Sequence, residues 1–198
     1  NEPVKKALQS PDKHKVIFVH LMGSHLQYQN RFPEDQRVFS GTEGIQAYSD
    51  DLPQSAVTYI NDYDNSVRYT DSVVGEMLDM LAQQPGVAAL TFFADHGEEV
   101  FDNRNFKGHG PDGLTKDMLE IPFIFWRNAD YQNAFSEQDQ RMRQSRTHPA
   151  MLDDFFHFAL CSAGVESSLY QANNSLCSAG YQPGKRVVYR KNYDEGLK

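Results

Sequence analysis

Apolar residues fall along this chain in two patterns. Continuous β-branched and aromatic runs occupy residues 15–20 (Lys-Val-Ile-Phe-Val-His), 87–94 and 121–126, each of a strand's length and of the kind that fills a buried strand. Pro122 in the third run points to an edge position or a bulge. A shorter run at 186–190 reads as a final strand. The second pattern is helical. Val57, Ile60, Tyr63, Val67, Thr70, Val74, Met77 and Leu81 recur every three or four residues, one apolar stripe over about seven turns. Asp51, Pro53 and Gln54 predict its start as a capping box, and Pro85-Gly86 its end. Residues 136–146 read as a polar helix. Residues 148–163 read as an amphipathic one, with Met151, Leu152, Phe155, Phe156, Ala159 and Leu160 inward. Val4, Ala7 and Leu8 suggest the tail of a helix, and residues 26–52 and 100–119 read as long loops.

Apolar strands alternating with helices predict an α/β fold, a mostly parallel sheet covered on both faces. In such sheets ligands bind beyond the C-terminal ends of strands. Three polar clusters follow or separate the predicted strands: His20 to His25, Asp95 to Glu99, and His109 between two glycines. The fold class makes their meeting in space an expectation.

The 198 residues suit a single domain. The net charge of −8, with no basic patch, argues against nucleic acid as a partner. No apolar run approaches the roughly 18 residues of a membrane span. Cys161 and Cys177 are either a pair in an oxidising compartment or two inert thiols.

The clusters define the candidate chemistry. Asp95 and His96 offer a carboxylate and an imidazole at a strand end, where Gly97 permits a turn that lets both reach one cation. Zinc accepts this donor pair. His109 and His25 are further nitrogen donors, to metal or to an anionic substrate, and Glu98 and Glu99 could orient a ligand histidine. His20 could equally be a buried, hydrogen-bonded histidine, and His14, His148 and His157 read as surface or packing residues. The polar stretch from Asp62 to Asn65, with Tyr69 to Asp71, could line a site or be solvated or capping. No Gly-x-Ser-x-Gly elbow is present, and residues 41–44 lack the Gly-Lys-Ser/Thr of a P-loop.

In combination these segments resemble a known family. Phe18-Val19-His20-Leu21-Met22-Gly23-Ser24-His25 followed by Tyr28 and Arg31-Phe32-Pro33, then Tyr63-Asp64-Asn65 and Tyr69-Thr70-Asp71, then Ala94-Asp95-His96-Gly97-Glu98-Glu99, then Ile121-Pro122-Phe123-Ile124-Phe125-Trp126, resemble the phosphoethanolamine transferases of Gram-negative bacteria. These are sulfatase-like enzymes of the alkaline-phosphatase superfamily. The resemblance covers about residues 15–160 and implies a three-layer α/β/α sandwich, truncated at the N-terminus, the C-terminal part of a periplasmic catalytic domain on the inner membrane. It implies zinc, one or two ions, and transfer of phosphoethanolamine from phosphatidylethanolamine to lipid A or the lipopolysaccharide core through a phosphothreonine. By motif, Asp95 and His96 match the zinc ligands, while His25 and His109 would bind the phosphoryl group or a second zinc.

The resemblance also places the nucleophilic threonine, the first acidic zinc ligand and the membrane helices before Asn1, so the fragment alone is expected to be inactive. Thr91 and Thr115 stand in the wrong context for the nucleophile, and Glu120 stands where several relatives carry histidine. The family's disulfides tip Cys161 and Cys177 toward a bridge. Two other readings remain: a sulfatase or phosphatase of the same superfamily, although no Cys/Ser-x-Pro-x-Arg motif occurs in these residues, and a non-catalytic sulfatase-like binding module.

Overall fold

The computed structural model describes residues 1–197. The helices are α1 (Glu2–Leu8), α2 (Gln54–Ala82), α3 (Ala129–Ala134), α4 (Ser136–Ser145), α5 (Phe155–Ser162) and α6 (Tyr193–Gly196). The strands are β1 (Ala89–Phe93), β2 (Glu99–Val100), β3 (Lys107–Gly108), β4 (Phe123–Arg127), β5 (Val187–Val188) and β6 (Lys191–Asn192). They pair as β1 with β4, β2 with β3 and β5 with β6, the last two pairs antiparallel. The chain divides into two compact units: Asn1–Pro85 with Leu90–Ile124, and Gly86–Ala89 with the chain from Phe125 on.

In the first unit α2 is the organising element. Ala56, Val57, Ile60, Val74 and Met77 are buried along its apolar stripe, whereas Val67 turns outward. The helix starts without the expected capping box: Pro53 holds the N-cap position and no side chain caps it. Its buried polar residues have a structural task. Asn65, fully buried, accepts from the backbone N–H groups of Val38 (2.7 Å) and Phe39 (3.0 Å) and donates to the Phe39 carbonyl (2.8 Å). Asn61 donates to the Gly41 carbonyl at 2.9 Å, and Asp62 pairs with Arg37 at 2.8 Å. A loop whose backbone polar groups approach a helix must have them satisfied, and these side chains do so. The polar stretch on α2 therefore clamps the loop of residues 34–41. Tyr28 adds an aromatic anchor, edge-on to Tyr59 and Tyr63 with ring centroids 5.0 and 5.1 Å away.

Residues 15–20 are not a strand. All six are exposed, Val16 by 78% and Phe18 by 87%. Among the described residues no backbone hydrogen bond involves residues 15–21. A strand is completed by neighbours that supply its ladder, and none is present for this run. For the same reason His20 is exposed, not buried.

The expected loop at 100–119 holds a short hairpin. Glu99 opposes Gly108 and Val100 opposes Lys107. The segment that leads into the hairpin lies against the backbone of residues 117–120, where the Gly97 N–H donates to the Met118 carbonyl at 3.0 Å. A methyl group at position 97 would collide with the Asp117 carbonyl oxygen. Gly97 is thus required by close backbone approach, not by the turn the sequence suggested.

In the second unit the helix expected at 148–163 is shorter, a 3-10 turn at Leu152–Asp154 followed by α5. The run at 186–190 becomes the β5–β6 hairpin, with Tyr189 and Arg190 at positive φ in the turn. Phe125 packs edge-on against Tyr131 and Phe158, each 5.5 Å away, and the Tyr131 hydroxyl donates to the Ser162 carbonyl at 2.7 Å. Cys161 and Cys177 form a disulfide. Asp139 on α4 accepts from Arg127 and, at 2.7 Å, from Arg143. Burial opposes its ionisation, but these arginines outweigh burial and hold the carboxyl below its usual range.

Three outcomes test these contacts. Gly97→Ala is expected to lower unfolding stability by about 2 kcal/mol in urea titration, whereas Gly110→Ala, which faces open space, changes it little. Replacing Cys161 and Cys177 by serine removes a cross-link spanning 16 residues and should cost about 3 kcal/mol in the same titration. A depressed folded pKa at Asp139 stabilises above the unfolded carboxyl value of about 3.9 and is lost as pH falls through the folded value. Asp139→Asn should therefore cost about 2 kcal/mol at pH 7, and the difference from the parent should shrink below about pH 4.

Candidate metal and phosphoryl site

The β2–β3 hairpin builds the site. With Glu99 opposite Gly108, the next pair outward is Glu98 and His109, so a spacing of eleven residues closes into direct contact. His109 Nδ1 and Glu98 Oε1 lie 3.0 Å apart. A carboxylate can only accept here, so the proton of the neutral ring sits on Nδ1 and Nε2 keeps its lone pair. His96 is arranged alike. Its Nδ1 lies 2.9 Å from the Gly97 carbonyl oxygen, again an acceptor only, which leaves Nε2 unprotonated. The two imidazoles face each other with ring centroids 3.8 Å apart.

One ligand atom each from His96, Glu98 and His109 lies within 4.8 Å of the others. Glu98 is 8% exposed, and its second oxygen, Oε2, is buried with no hydrogen-bond partner among the described residues. A buried carboxylate oxygen without a donor is costly unless a cation or donor meets it. Two imidazoles and a carboxylate are a donor set that zinc takes in catalytic sites with a position left open. On both counts the residues fit a zinc ion. Asp95 stands at the rim, 91% exposed, with Oδ1 3.9 Å from His96 Nε2. Its other contact is local, accepting from the His96 backbone N–H at 3.1 Å.

Tyr63, pushed up to about 12 by burial first and then by the charge of Glu98, stays neutral, and Tyr28 is raised further by burial, by Tyr59 and by Glu98. Glu99 does not face the histidines. Fully buried, it accepts from the Asn103 backbone N–H (2.7 Å) and side chain (3.0 Å), and the same Asn103 amide donates to Asp117. Burial opposes its ionisation, but the Asn103 bonds prevail and lower its pKa. Asp102 goes the other way, raised by burial and by the charges of Asp117 and Glu99. This acidic group of Glu99, Asp102 and Asp117 was not read from the sequence, and 15 residues separate Asp102 from Asp117 with no periodicity linking them.

Of the residues singled out in the sequence, the structure brings His96, Glu98 and His109 together, with Asp95 exposed beside His96. His25 is not among the converging ligand atoms. It is exposed, and its fixed part is the backbone carbonyl, which accepts from Arg31 Nε at 3.0 Å. The loop carrying it follows the run at 15–20, which has no ladder partner here. Glu120 is exposed, and Thr115 is buried away from the role of a nucleophile with access to solvent.

The chain is 32% identical over 198 residues to phosphoethanolamine transferase EptC of Escherichia coli O18:K1:H7, which covers 96% of this chain and 33% of that protein. The crystal structure of the C-terminal periplasmic domain of E. coli EptC superposes with a TM-score of 0.86 at 29% identity, covering 98% of this chain and 56% of the other. The same domain in complex with zinc matches with a TM-score of 0.79 at 28% identity, with the same coverage. The chain thus spans about a third of the length of the curated relative it matches. The resemblance read from the motifs is borne out, and so is the fold of the sulfatase type. The sheet itself, among the described residues, is limited to three two-stranded pairs. The family model for sulfatases matches residues 2–165, through every motif that builds the site, and the chain belongs to the sulfatase family.

Proposed function

We propose that this chain carries part of the catalytic region of a zinc-dependent phosphoethanolamine transferase of the bacterial envelope, on the periplasmic side of the inner membrane. The observation that carries the reading is the convergence of His96, Glu98 and His109 on one point, with Asp95 at the rim. Likeness to enzymes named phosphoethanolamine transferases gives the convergence its chemistry.

Zinc bound there would supply Lewis-acid charge for a phosphoryl group in transfer. His96 and His109 present Nε2 lone pairs because Gly97 and Glu98 hold their Nδ1 protons. His96, Glu98 and His109 would hold the zinc ion, with Asp95 at the rim as a further ligand, and the free oxygen of Glu98 adds a negative charge that the cation would balance. His109, fixed by Glu98, would also face the phosphoryl oxygen or a second metal. His25 is the further donor that this reading assigns to that group.

In this reading the donor is phosphatidylethanolamine and the acceptor lipid A or the lipopolysaccharide core. The diacylglycerol leaving group departs as the phosphorus bonds to a threonine oxygen supplied outside these residues. The phosphoethanolamine then passes to the acceptor. The disulfide suits an oxidising compartment.

Two measurements test this. The 198-residue chain, titrated with zinc in a calorimeter, should bind it, and His96→Ala or His109→Ala should weaken binding at least about tenfold. Unchanged affinity in both variants would overturn the metal reading. In the whole protein, assayed with fluorescent phosphatidylethanolamine and lipid A, Asp95→Ala and His96→Ala should lower transfer at least about a hundredfold. Release of phosphoethanolamine to water without transfer would instead establish a hydrolase.

A further inference from the structure

The loop that carries His25 is folded by its own residues. A turn closes from the His25 N–H to the Met22 carbonyl at 3.3 Å. Gln27 takes the left-handed conformation, with φ 64°, and a 3-10 turn follows at Tyr28–Asn30. Arg31 then reaches back over this turn. Its Nε donates to the His25 carbonyl at 3.0 Å and its Nη2 to the Leu26 carbonyl at 2.8 Å. Both bonds go to backbone, and among the described residues no carboxylate pairs with Arg31.

Carbonyls of consecutive residues point to opposite sides of an extended chain. Two that accept from one guanidinium therefore hold His25 and Leu26 out of the extended form. A planar fork of donors suits that task, and a lysine ammonium, one compact charge, does not reproduce it. The far end of the turn is fixed as well. Tyr28, 1% exposed, packs edge-on to Tyr59 and Tyr63 of α2, and Phe32 is buried with the Arg37 guanidinium 4.9 Å from its ring centre. Tyr28 also stands near the metal site: after burial and Tyr59, the charge of Glu98 raises its pKa. The loop is tied at Tyr28 to the wall of the site, and Arg31 sets the path from that anchor to His25.

We propose that Arg31 is a positioning residue for His25: by clamping the carbonyls of residues 25 and 26 it holds the histidine's backbone beside the Tyr28 anchor, so that the imidazole is presented to the phosphoryl group in transfer. The inference rests on the proposed function, which assigns His25 to that group, and adds the residue through which the assignment is realised. Arg31 bonds to backbone carbonyls and not to His96, Glu98 or His109, so its removal acts through His25. The guanidinium stays charged across the working pH range, so the clamp does not titrate. Misplacing a reacting group by about 1 Å costs up to about a hundredfold in rate, which sets the scale of the effect.

The test compares His25→Ala, Arg31→Ala, Arg31→Lys and the double alanine variant in the whole protein, assayed for transfer from fluorescent phosphatidylethanolamine to lipid A. Arg31→Ala should lower kcat at least about tenfold while KM for lipid A changes less than about twofold. Arg31→Lys should not restore the rate. The double variant should be slower than His25→Ala by no more than about twofold, because the clamp has nothing to place once the imidazole is gone. In the 198-residue chain, Arg31→Ala should leave zinc affinity in the calorimeter within about twofold of the parent. A parental kcat in Arg31→Ala, beside a His25→Ala that has lost transfer, would overturn the inference and leave the proposed function standing. So would losses that multiply in the double variant, or rescue by Arg31→Lys, which would reduce Arg31 to a charge. A fall in zinc affinity would also overturn it, by making Arg31 a general support of the fold. Parental transfer by His25→Ala would overturn the assignment of His25 itself, and this inference with it.

Discussion

The close approach of the backbone at Gly97 to residues 117–118 is the constraint on which the site depends. No side chain fits between Gly97 and the Asp117 carbonyl, and the Gly97 N–H is bonded to the Met118 carbonyl. This contact pins the segment after β1 just where it enters the β2–β3 hairpin. The hairpin register then does the rest, because opposing Glu99 with Gly108 sets Glu98 against His109. Backbone geometry thus places the donors.

The hydrogen bonds around the donors determine their state as well as their position. Each histidine gives its Nδ1 proton to an oxygen that can only accept, so each offers Nε2 in the form a metal requires. Glu98 is bonded to His109 through one oxygen and bare through the other, which leaves a buried negative charge for a cation to meet. Glu99, its neighbour in sequence, is turned to a different task by the alternation of a strand. It holds Asn103 and through it Asp117, bracing the hairpin from its other side.

The sequence made some of this legible and hid the rest for definite reasons. The stripe on α2 was legible because a helix satisfies its own backbone, so its pattern needs no partner to be read. The strand at residues 89–93 was legible from its apolar run. The run at 15–20 carries an equally strong pattern, yet it is not a strand, because a strand exists only with a neighbour. The β2–β3 hairpin escaped notice because Lys107 and Gly108 carry no alternation to mark them. Asp62 and Asn65, in the polar stretch on α2, could have lined a site. Their partners, Arg37 and the backbone N–H groups of Val38 and Phe39, lie some twenty-five residues earlier, and no spacing announces them.

What the amino-acid sequence determined by itself was chemical identity: the Asp95-His96-Gly97-Glu98 and His109 donors, the long amphipathic helix, and likeness to a family. Those depend on residue type and on local periodicity, which the chain states directly. What only the tertiary structure decided was pairing. Glu98 serves His109 and Glu99 serves Asn103, Gly97 is needed for contact with a distant carbonyl, and Cys161 joins Cys177. Each is a choice of partner across the chain, made by the path of the backbone.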